Sequence, residues 1–507
     1  MKNKKLIFIL IDSMSIKDFY FIKNNKEIFP NFNNLFDRSV CFENLYSVAN
    51  PTEFVLPSIF SSSLPLNSKT CEYGIQDRDL DLLEDLISKK FKVNMFTNVA
   101  VCNDIYGYSD DKFSVTNYAS IQIIWTHFIR NYLWHLDNND VYKDNEIKIN
   151  KFAEIVERFF PYFISHLNND YSNYTKFVLG GKLIFKKKLL IQELERHLVL
   201  FRLSPKSYYE KYFELMLKNS FFSYFGINSI KEKIIIYLSN FLKNTNQNWK
   251  DGRLNLFNYE ISFNNIFSDC SYIFNKAIKD INKNETNSFN YIHIMDLHNT
   301  KIGKNKFINK INKSFVLNNK NKLSLKYIDN ELGIFINKLN NNNYSICITS
   351  DHGTIDKNNK GPLTTNETEG IFHDDFLRIP LAISNNNKTP IDNKKIYSSI
   401  HILPLFLKLS DVHINKSFNL DENFILCEHC HRGPTSNNLL SGIFYLCLIT
   451  KKFKIIYKNE ISKFDQSPLF KEKIIYNKDT NIDISKYLSI LNKRKNELLS
   501  FKLREKK

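Results

Sequence analysis

The sequence predicts a doubly wound α/β fold built on a mostly parallel sheet. Three observations support that reading. Lys4-Lys5-Leu6-Ile7-Phe8-Ile9-Leu10-Ile11 is a short apolar run that stops at Asp12. Tyr344 to Thr349 is a second such run, followed at once by Ser350-Asp351-His352-Gly353. Runs of this length without polar alternation suit strands buried on both faces of a parallel sheet. Around them lie amphipathic stretches such as Lys151 to Phe160 and Leu189 to Phe201, with apolar residues at helical spacing.

Both strands end on polar groups at their carboxyl ends, where open α/β sheets place their chemistry. Asp351 and His352 side by side offer a carboxylate and an imidazole to a divalent metal. Alone, the tetrapeptide also fits a polar turn after a strand. Asp12 is a carboxylate directly after an apolar run, which is costly unless it is exposed or paired. A second acid at a strand end suits the same metal site. Asp12 or Ser13 could also cap a helix running through Asp18 and Phe19.

Further segments carry a family resemblance. Pro30-Asn31-Phe32-Asn33-Asn34-Leu35 and Phe42-Glu43-Asn44-Leu45-Tyr46-Ser47 resemble the P-N-L-x-x-L … F-x-N-x-Y-S stretch of the sulfatase and alkaline-phosphatase superfamily. Thr52, Pro57, Phe60 and Ser61 look like the nucleophile segment of its phosphoethanolamine-transferase branch, which implies that Thr52 is the nucleophile. Val55 and Ile59 depart from the C/S-x-P-S-R pattern of formylglycine sulfatases. Phe289 to His298 resembles the strand that delivers a histidine to the transferred group, and Phe372 to Leu381 resembles a later histidine followed by an R-V-P-L strand. Leu325 to Leu339 resembles the helix before the Asp-His-Gly strand. The resemblance spans residues 1–118 and 260–410 and implies a sheet of alkaline-phosphatase and sulfatase type.

A threonine hydroxyl is a poor nucleophile at neutral pH, and a neighbouring divalent cation favours its ionised form. Asp12, Asp351 and His352, with Thr52 as fourth ligand, suit Zn²⁺ or Mn²⁺. Ser13 stands where many relatives have a second acid, so one ion and two ions both stay open. His298 and His373 would hold the oxygens of a group in transfer, or a second metal. Each residue has a plainer role available. Thr52 could cap a helix, His298 could sit on a surface loop, and His373 could pair with Asp374 and Asp375. His293 is expected to be a satisfied structural histidine, and Asp296 to orient its loop.

At 507 residues the chain can bury more than one core. Its 43% hydrophobic and 24% charged residues are ordinary for a globular protein. A net charge of +17 suits an anionic small-molecule or glycan ester, or the inner surface of a membrane as a peripheral partner. Nucleic acid is not expected, because no zinc-finger spacing, RNP-like motif or long basic block is present. Neither a signal peptide nor a transmembrane stretch is evident, so a cytoplasmic location is expected. Eight scattered cysteines fit a reduced compartment. Cys427-Glu428-His429-Cys430-His431 reads as a structural strand, with a zinc knuckle or haem attachment as alternatives.

The expected organisation is a catalytic α/β domain in two parts, 1–118 and 256–410, a helical insertion at 119–255, and a smaller strand-rich subdomain at 411–507. The last would close with a helix from Ile482 to Leu503. The expected activity is metal-dependent transfer or hydrolysis of a phosphate-type ester through Thr52, on a glycan or its precursor. Sulfuric-ester hydrolysis and a catalytically inactive anionic-glycan-binding module are the alternatives.

Overall fold

Strand β1 (Lys5–Ile11) is buried along its whole length and lies inside an eight-stranded sheet in a computed structural model of the chain. The structure describes residues 3–49, 52–67, 81–99, 108, 112–119, 124–125, 129, 131–138, 144–168, 178–179, 182–183, 187–218, 253–256, 259–262, 270–298, 320–339, 343–354, 372–384, 394–414, 423–430, 444–460, 469–477 and 485–504. His431, and Ile482 at the start of the expected last helix, lie outside these residues.

After β1 come β2 (Ser39–Tyr46), β3 (Lys92–Thr97) and β4 (Ser114–Asn117). Four short strands follow: β5 (Val178–Leu179), β6 (Lys182–Leu183), β7 (Arg253–Leu256) and β8 (Tyr259–Ser262). The main sheet is completed by β9 (Ser288–Ile294), β10 (Tyr344–Thr349), β11 (Arg378–Ser384) and β12 (Tyr397–Ser398). Its order is β12-β2-β11-β10-β1-β9-β3-β4. β11 runs antiparallel to both β10 and β2, and the other pairings are parallel. A mostly parallel, doubly wound sheet results, as the apolar runs predict.

Alternation along β1 divides the core in two. Leu6, Phe8 and Leu10 join Phe54, Val55, Phe60 and Phe406 on one face, while Ile7, Ile9 and Ile11 join Phe19, Phe32, Ile273 and Ile328 on the other. Each such side chain contributes about 1.5–3 kcal/mol by leaving water. With apolar partners on both faces, β1 has no polar alternation to show, which is why its sequence reads as an unbroken run.

Helix Lys320–Asn337 docks against helix Pro30–Phe36 through a buried acid. Asp329 accepts hydrogen bonds from the Phe32 amide (2.8 Å) and Asn31 Nδ2 (3.2 Å). Gly333 permits that approach, since a Cβ there would meet Asn31 Oδ1 at 2.3 Å. The first helix, Ile16–Asn24, corrects one sequence expectation. Its cap is Ser15, with Asp18 returning the bond in a capping box, and not Asp12 or Ser13. Those two residues are held in the site described below.

Within 119–255 lie helices Asn131–Asn138, Asn145–Asn168, Lys187–Leu203 and Pro205–Lys218. Phe152, Phe159, Phe163, Phe201 and Tyr208 bury their rings between them. The segment is not purely helical: the small antiparallel sheet β6-β5-β8-β7 lies across residue 255, since β7 begins at Arg253 and β8 ends at Ser262. Strands this short carry too few residues for a recognisable period.

At the C-terminus, β13 (Phe424–Cys430), β14 (Phe444–Thr450), β15 (Phe453–Glu460) and β16 (Leu469–Asn477) form an antiparallel meander, followed by helix Ser485–Arg504. Arg494 donates Nε to the fully buried Glu428 of β13 and Nη1 to Asn67 Oδ1 at 3.1 Å. Glu428 also accepts from the Leu66 amide at 2.9 Å. This pair ties the last helix and β13 to the segment just after helix Thr52–Ser61. Cys427 donates its thiol to the Ser47 carbonyl at 3.1 Å, and burial pushes its pKa well up. It is a protonated structural thiol, in line with the strand reading.

Two buried histidines within residues 119–255 give a pH signature. His166 meets the Ala119 carbonyl at 3.1 Å, and burial lowers its pKa from 6.5 to about 4. Burial likewise takes His197 to about 4, beside the Tyr208 hydroxyl at 2.7 Å. The folded state therefore refuses protons that the unfolded chain accepts below pH 6.5. Stability is full above that pH and falls as pH drops toward 4. Thermal melts of the native chain should fall over this window, with a shallower fall for His166→Gln. Parallel curves for the two proteins would contradict the assignment.

Candidate active site

The site is assembled at the carboxyl edge of the main sheet. The register places Leu10 of β1 beside Thr349 of β10 and His293 of β9. Asp12 and Asp351 therefore emerge next to each other from adjacent parallel strands, and both are fully buried. Thr52 begins the ten-residue helix Thr52–Ser61. Its hydroxyl donates to Asp351 Oδ2 at 2.5 Å and lies 3.3 Å from Asp12 Oδ2. The threonine oxygen thus sits between two carboxylates, with the positive end of its helix beside them.

The outward-facing oxygens of the two acids are fixed from behind by one residue. Ser13 donates its hydroxyl to Asp12 Oδ1 at 2.7 Å and its amide to Asp351 Oδ1 at 3.2 Å. It adopts φ = 66°, a left-handed conformation that non-glycine residues seldom take. Asp351 Oδ1 also accepts the His352 amide at 2.9 Å. Oδ2 of each acid faces the Thr52 hydroxyl.

His352 completes the group. Asp12, Asp351 and His352 each offer a ligand atom, and these atoms lie within 4.8 Å of one another. Nδ1 of His352 is 2.9 Å from the Gly353 carbonyl. A proton on Nδ1 donates there and leaves the Nε2 lone pair for a cation, the arrangement metal-bound histidines use. Its ring stacks on Phe376 at 5.1 Å and an interplanar angle of 2°. Burial pushes the His352 pKa down, but the charges of Asp351 and Asp12 and the Gly353 carbonyl outweigh this and raise it. Two oxygen ligands and one imidazole nitrogen fit a divalent ion such as Zn²⁺ or Mn²⁺. Among the described residues this is the group of histidine, cysteine and acidic side chains able to hold one.

His293 touches the site without offering it a free nitrogen. Its Nε2 lies 3.2 Å from Asp12 Oδ2, and its Nδ1 is 2.8 Å from the Tyr291 hydroxyl. Burial alone would raise the Asp12 pKa. His298, the His293 hydrogen bond and His352 together hold it well below the usual carboxylate range. His298 is exposed, in the turn after β9, and near enough for its charge to act on Asp12. His373 is not drawn into this cluster. Its side chain is 56% exposed, and Nδ1 accepts from the Asp375 amide at 3.1 Å, capping the short helix Asp374–Leu377. Asp296 is buried in the same turn as His298.

Sequence reasoning missed Ser13 as an orienting group, because only its backbone angle reveals the role. It also missed Phe376, which nothing in the sequence marks. Gly353 was legible as part of the tetrapeptide, but its reason is spatial: its amide donates to the Phe376 carbonyl at 2.7 Å, and a Cβ would lie 2.1 Å from the Asp375 carbonyl. Gly353→Ala should therefore push this segment apart and cost about 1–3 kcal/mol in urea unfolding. A change within error of zero would contradict the close approach.

Residues 231–412 match the Sulfatase family model. The match takes in His298, Asp351, His352 and His373, while Asp12 and Thr52 lie before it in the chain. No curated protein matches the chain in sequence. Among solved structures, a protein of the alkaline phosphatase superfamily from Vibrio parahaemolyticus is similar at 10% identity and TM-score 0.48, covering 100% of this chain and 88% of its own. The lipoteichoic acid synthase LtaP from Listeria monocytogenes is similar at 12% identity and TM-score 0.45, with 100% and 92% covered. The phosphonate monoester hydrolase SpPMH from Silicibacter pomeroyi is similar at 11% identity and TM-score 0.44, with 100% and 96% covered. Residues 231–412 thus match the Sulfatase family, and β9, β10, β11 and β12 of that stretch lie in the mostly parallel eight-stranded sheet.

Proposed function

We propose that the protein is a metal-dependent enzyme that transfers or hydrolyses a phosphate-type ester through Thr52. The observation that carries this reading is the position of the Thr52 oxygen, 2.5 Å from Asp351 Oδ2 and 3.3 Å from Asp12 Oδ2, beside His352. A hydroxyl at the start of a helix normally turns back to cap it; this one is turned onto two buried acids.

Asp12, Asp351 and His352 would hold the ion, which when bound supplies the positive charge that lets a threonine oxygen ionise at neutral pH. The chain's own groups do the rest. Ser13 keeps the two acids in place, and the Thr52 hydroxyl already points its proton at Asp351 Oδ2. Attack in line with the leaving group forms the Thr52 Oγ–P bond and breaks the bond from phosphorus to the leaving oxygen, which departs with the negative charge or takes up a proton. His298, exposed and close enough for its charge to act on Asp12, would hold an oxygen of the group in flight. Water or an acceptor hydroxyl then attacks the phosphothreonine and restores Thr52. His373, which caps helix Asp374–Leu377 outside the ligand group, is given no part in this step.

The Sulfatase match favours a second reading, hydrolysis of a sulfate ester. Against the formylglycine route stands Val55, which is fully buried in the core on the nucleophile helix. Peptide mass spectrometry after incubation with phosphate-ester donors should find a covalent adduct on Thr52. Thr52→Ala should lower turnover by a factor on the order of 10³ or more. Undiminished turnover in that variant removes Thr52 from its role, and faster turnover of sulfate than phosphate esters favours the second reading.

A further inference from the structure

A cavity with a cationic lining lies along the same sheet edge as the candidate site. It is an open cleft of about 780 Å³ where the end of β2, the start of β11 and the β14–β15 turn meet. Arg378, Lys451, Lys452 and Lys454 line it together with His373, against the one carboxylate of Asp374. Lys454 bonds to Asp374 and to the Phe372 carbonyl at 2.9 Å, so that carboxylate is already compensated. Arg378 is anchored through Nε to the Glu43 carbonyl at 2.7 Å and through Nη2 to Asn44 Oδ1 at 3.1 Å. Lys451 and Lys452, exposed in the two-residue turn between β14 and β15, form the rim.

The apolar residues of the lining offer little surface to a lipid tail. Tyr46, Phe372, Ile396, Phe453 and Ile456 are each no more than 8% exposed. The exposed lysines of its rim favour a hydrophilic, anionic occupant. Its place relative to Thr52 follows from topology. β1, β10 and β2 run in the same direction, with β11 reversed between β10 and β2. Tyr46 and Arg378, opposite each other in register, therefore lie at the same sheet edge as Asp12. Three strand spacings of about 4.8 Å put the cleft about 14 Å along that edge, the reach of a few sugar rings. The wall between cleft and metal ligands is the Phe372–Leu377 segment: Phe372, His373 and Asp374 face the cleft, and Phe376 stacks on His352.

We infer that this cleft is a subsite for a second acidic group of an extended substrate, an acidic oligosaccharide whose transferred ester sits at Thr52. The inference deepens the proposed function and rests on it for the identity of the reacting end. The cleft's charge makes a substrate with negative groups spaced along a chain the preferred one, over a compact monoester.

The test is binding, read without turnover. Calorimetric titration of the native chain and of Thr52→Ala would use a sulfated heparin-derived hexasaccharide, maltohexaose, inorganic sulfate, and vesicles containing phosphatidylglycerol. The hexasaccharide should bind, maltohexaose should not, and sulfate and vesicles should bind more weakly than the hexasaccharide. Lys451→Ser with Lys452→Ser should weaken hexasaccharide binding about tenfold. Removing the same charge elsewhere, by Lys206→Ser with Lys279→Ser, should change it less than about twofold. Equal weakening by the two double variants, no hexasaccharide binding, or equal or tighter binding of maltohexaose, sulfate or vesicles would overturn the subsite. A chain that binds the hexasaccharide at Lys451 and Lys452 yet turns over no ester overturns the reaction and leaves the subsite standing.

Discussion

Two carboxylates that share a buried corner govern this structure. Asp12 and Asp351 leave adjacent parallel strands with no solvent exposure, and their ligand oxygens lie within 4.8 Å. Two negative charges at about 4 Å repel by about 4 kcal/mol at an effective dielectric of about 20. Burial adds a desolvation cost to each. The surroundings answer with positive charge and donors: His293 and His352 at the acids, His298 nearby, the start of helix Thr52–Ser61, and two bonds from Ser13. A corner that collects this much compensation for two acids is suited to a divalent cation, which would neutralise both at once.

At the site, strain is carried by Ser13. Its left-handed backbone lets a single residue send its hydroxyl to one acid and its amide to the other. Ser13 thus holds one oxygen of each acid, while the Oδ2 atoms face Thr52 and that of Asp12 also meets His293. Behind His352, the Gly353–Phe376 contact and the stacked ring fix the imidazole plane. These supports come from segments far apart in the chain, which the parallel pairing of β1 with β9 and β10 brings together.

The sheet was legible in the sequence because its central strands are buried on both faces. Tyr344 to Thr349 matches β10 residue for residue, and the run ending at Ile11 matches the end of β1. A carboxylate at the end of an apolar run is chemically conspicuous, so Asp12 and the Asp351-His352 pair could be nominated from sequence, and the fold brings them together with Thr52. Ser15 was missed as a helix cap because Asp12, Ser13 and Ser15 are all good capping types within four residues, and only the left-handed turn at Ser13 decides among them. The two-residue strands β5 and β6 carry no readable pattern. The cleft was invisible for another reason: Arg378 and Lys451 are far apart in the chain, and their shared surface exists only after the C-terminal meander packs against β2 through Tyr46, Cys427 and Tyr445.

Metal content tests the central claim most directly. The chain would be loaded with Zn²⁺ or Mn²⁺, dialysed against metal-free buffer, and analysed by inductively coupled plasma mass spectrometry beside Asp351→Asn. The account predicts at least about one ion retained per native chain and substantially less in the variant. A native chain that retains neither ion, or a variant that holds as much as the native chain, would contradict it.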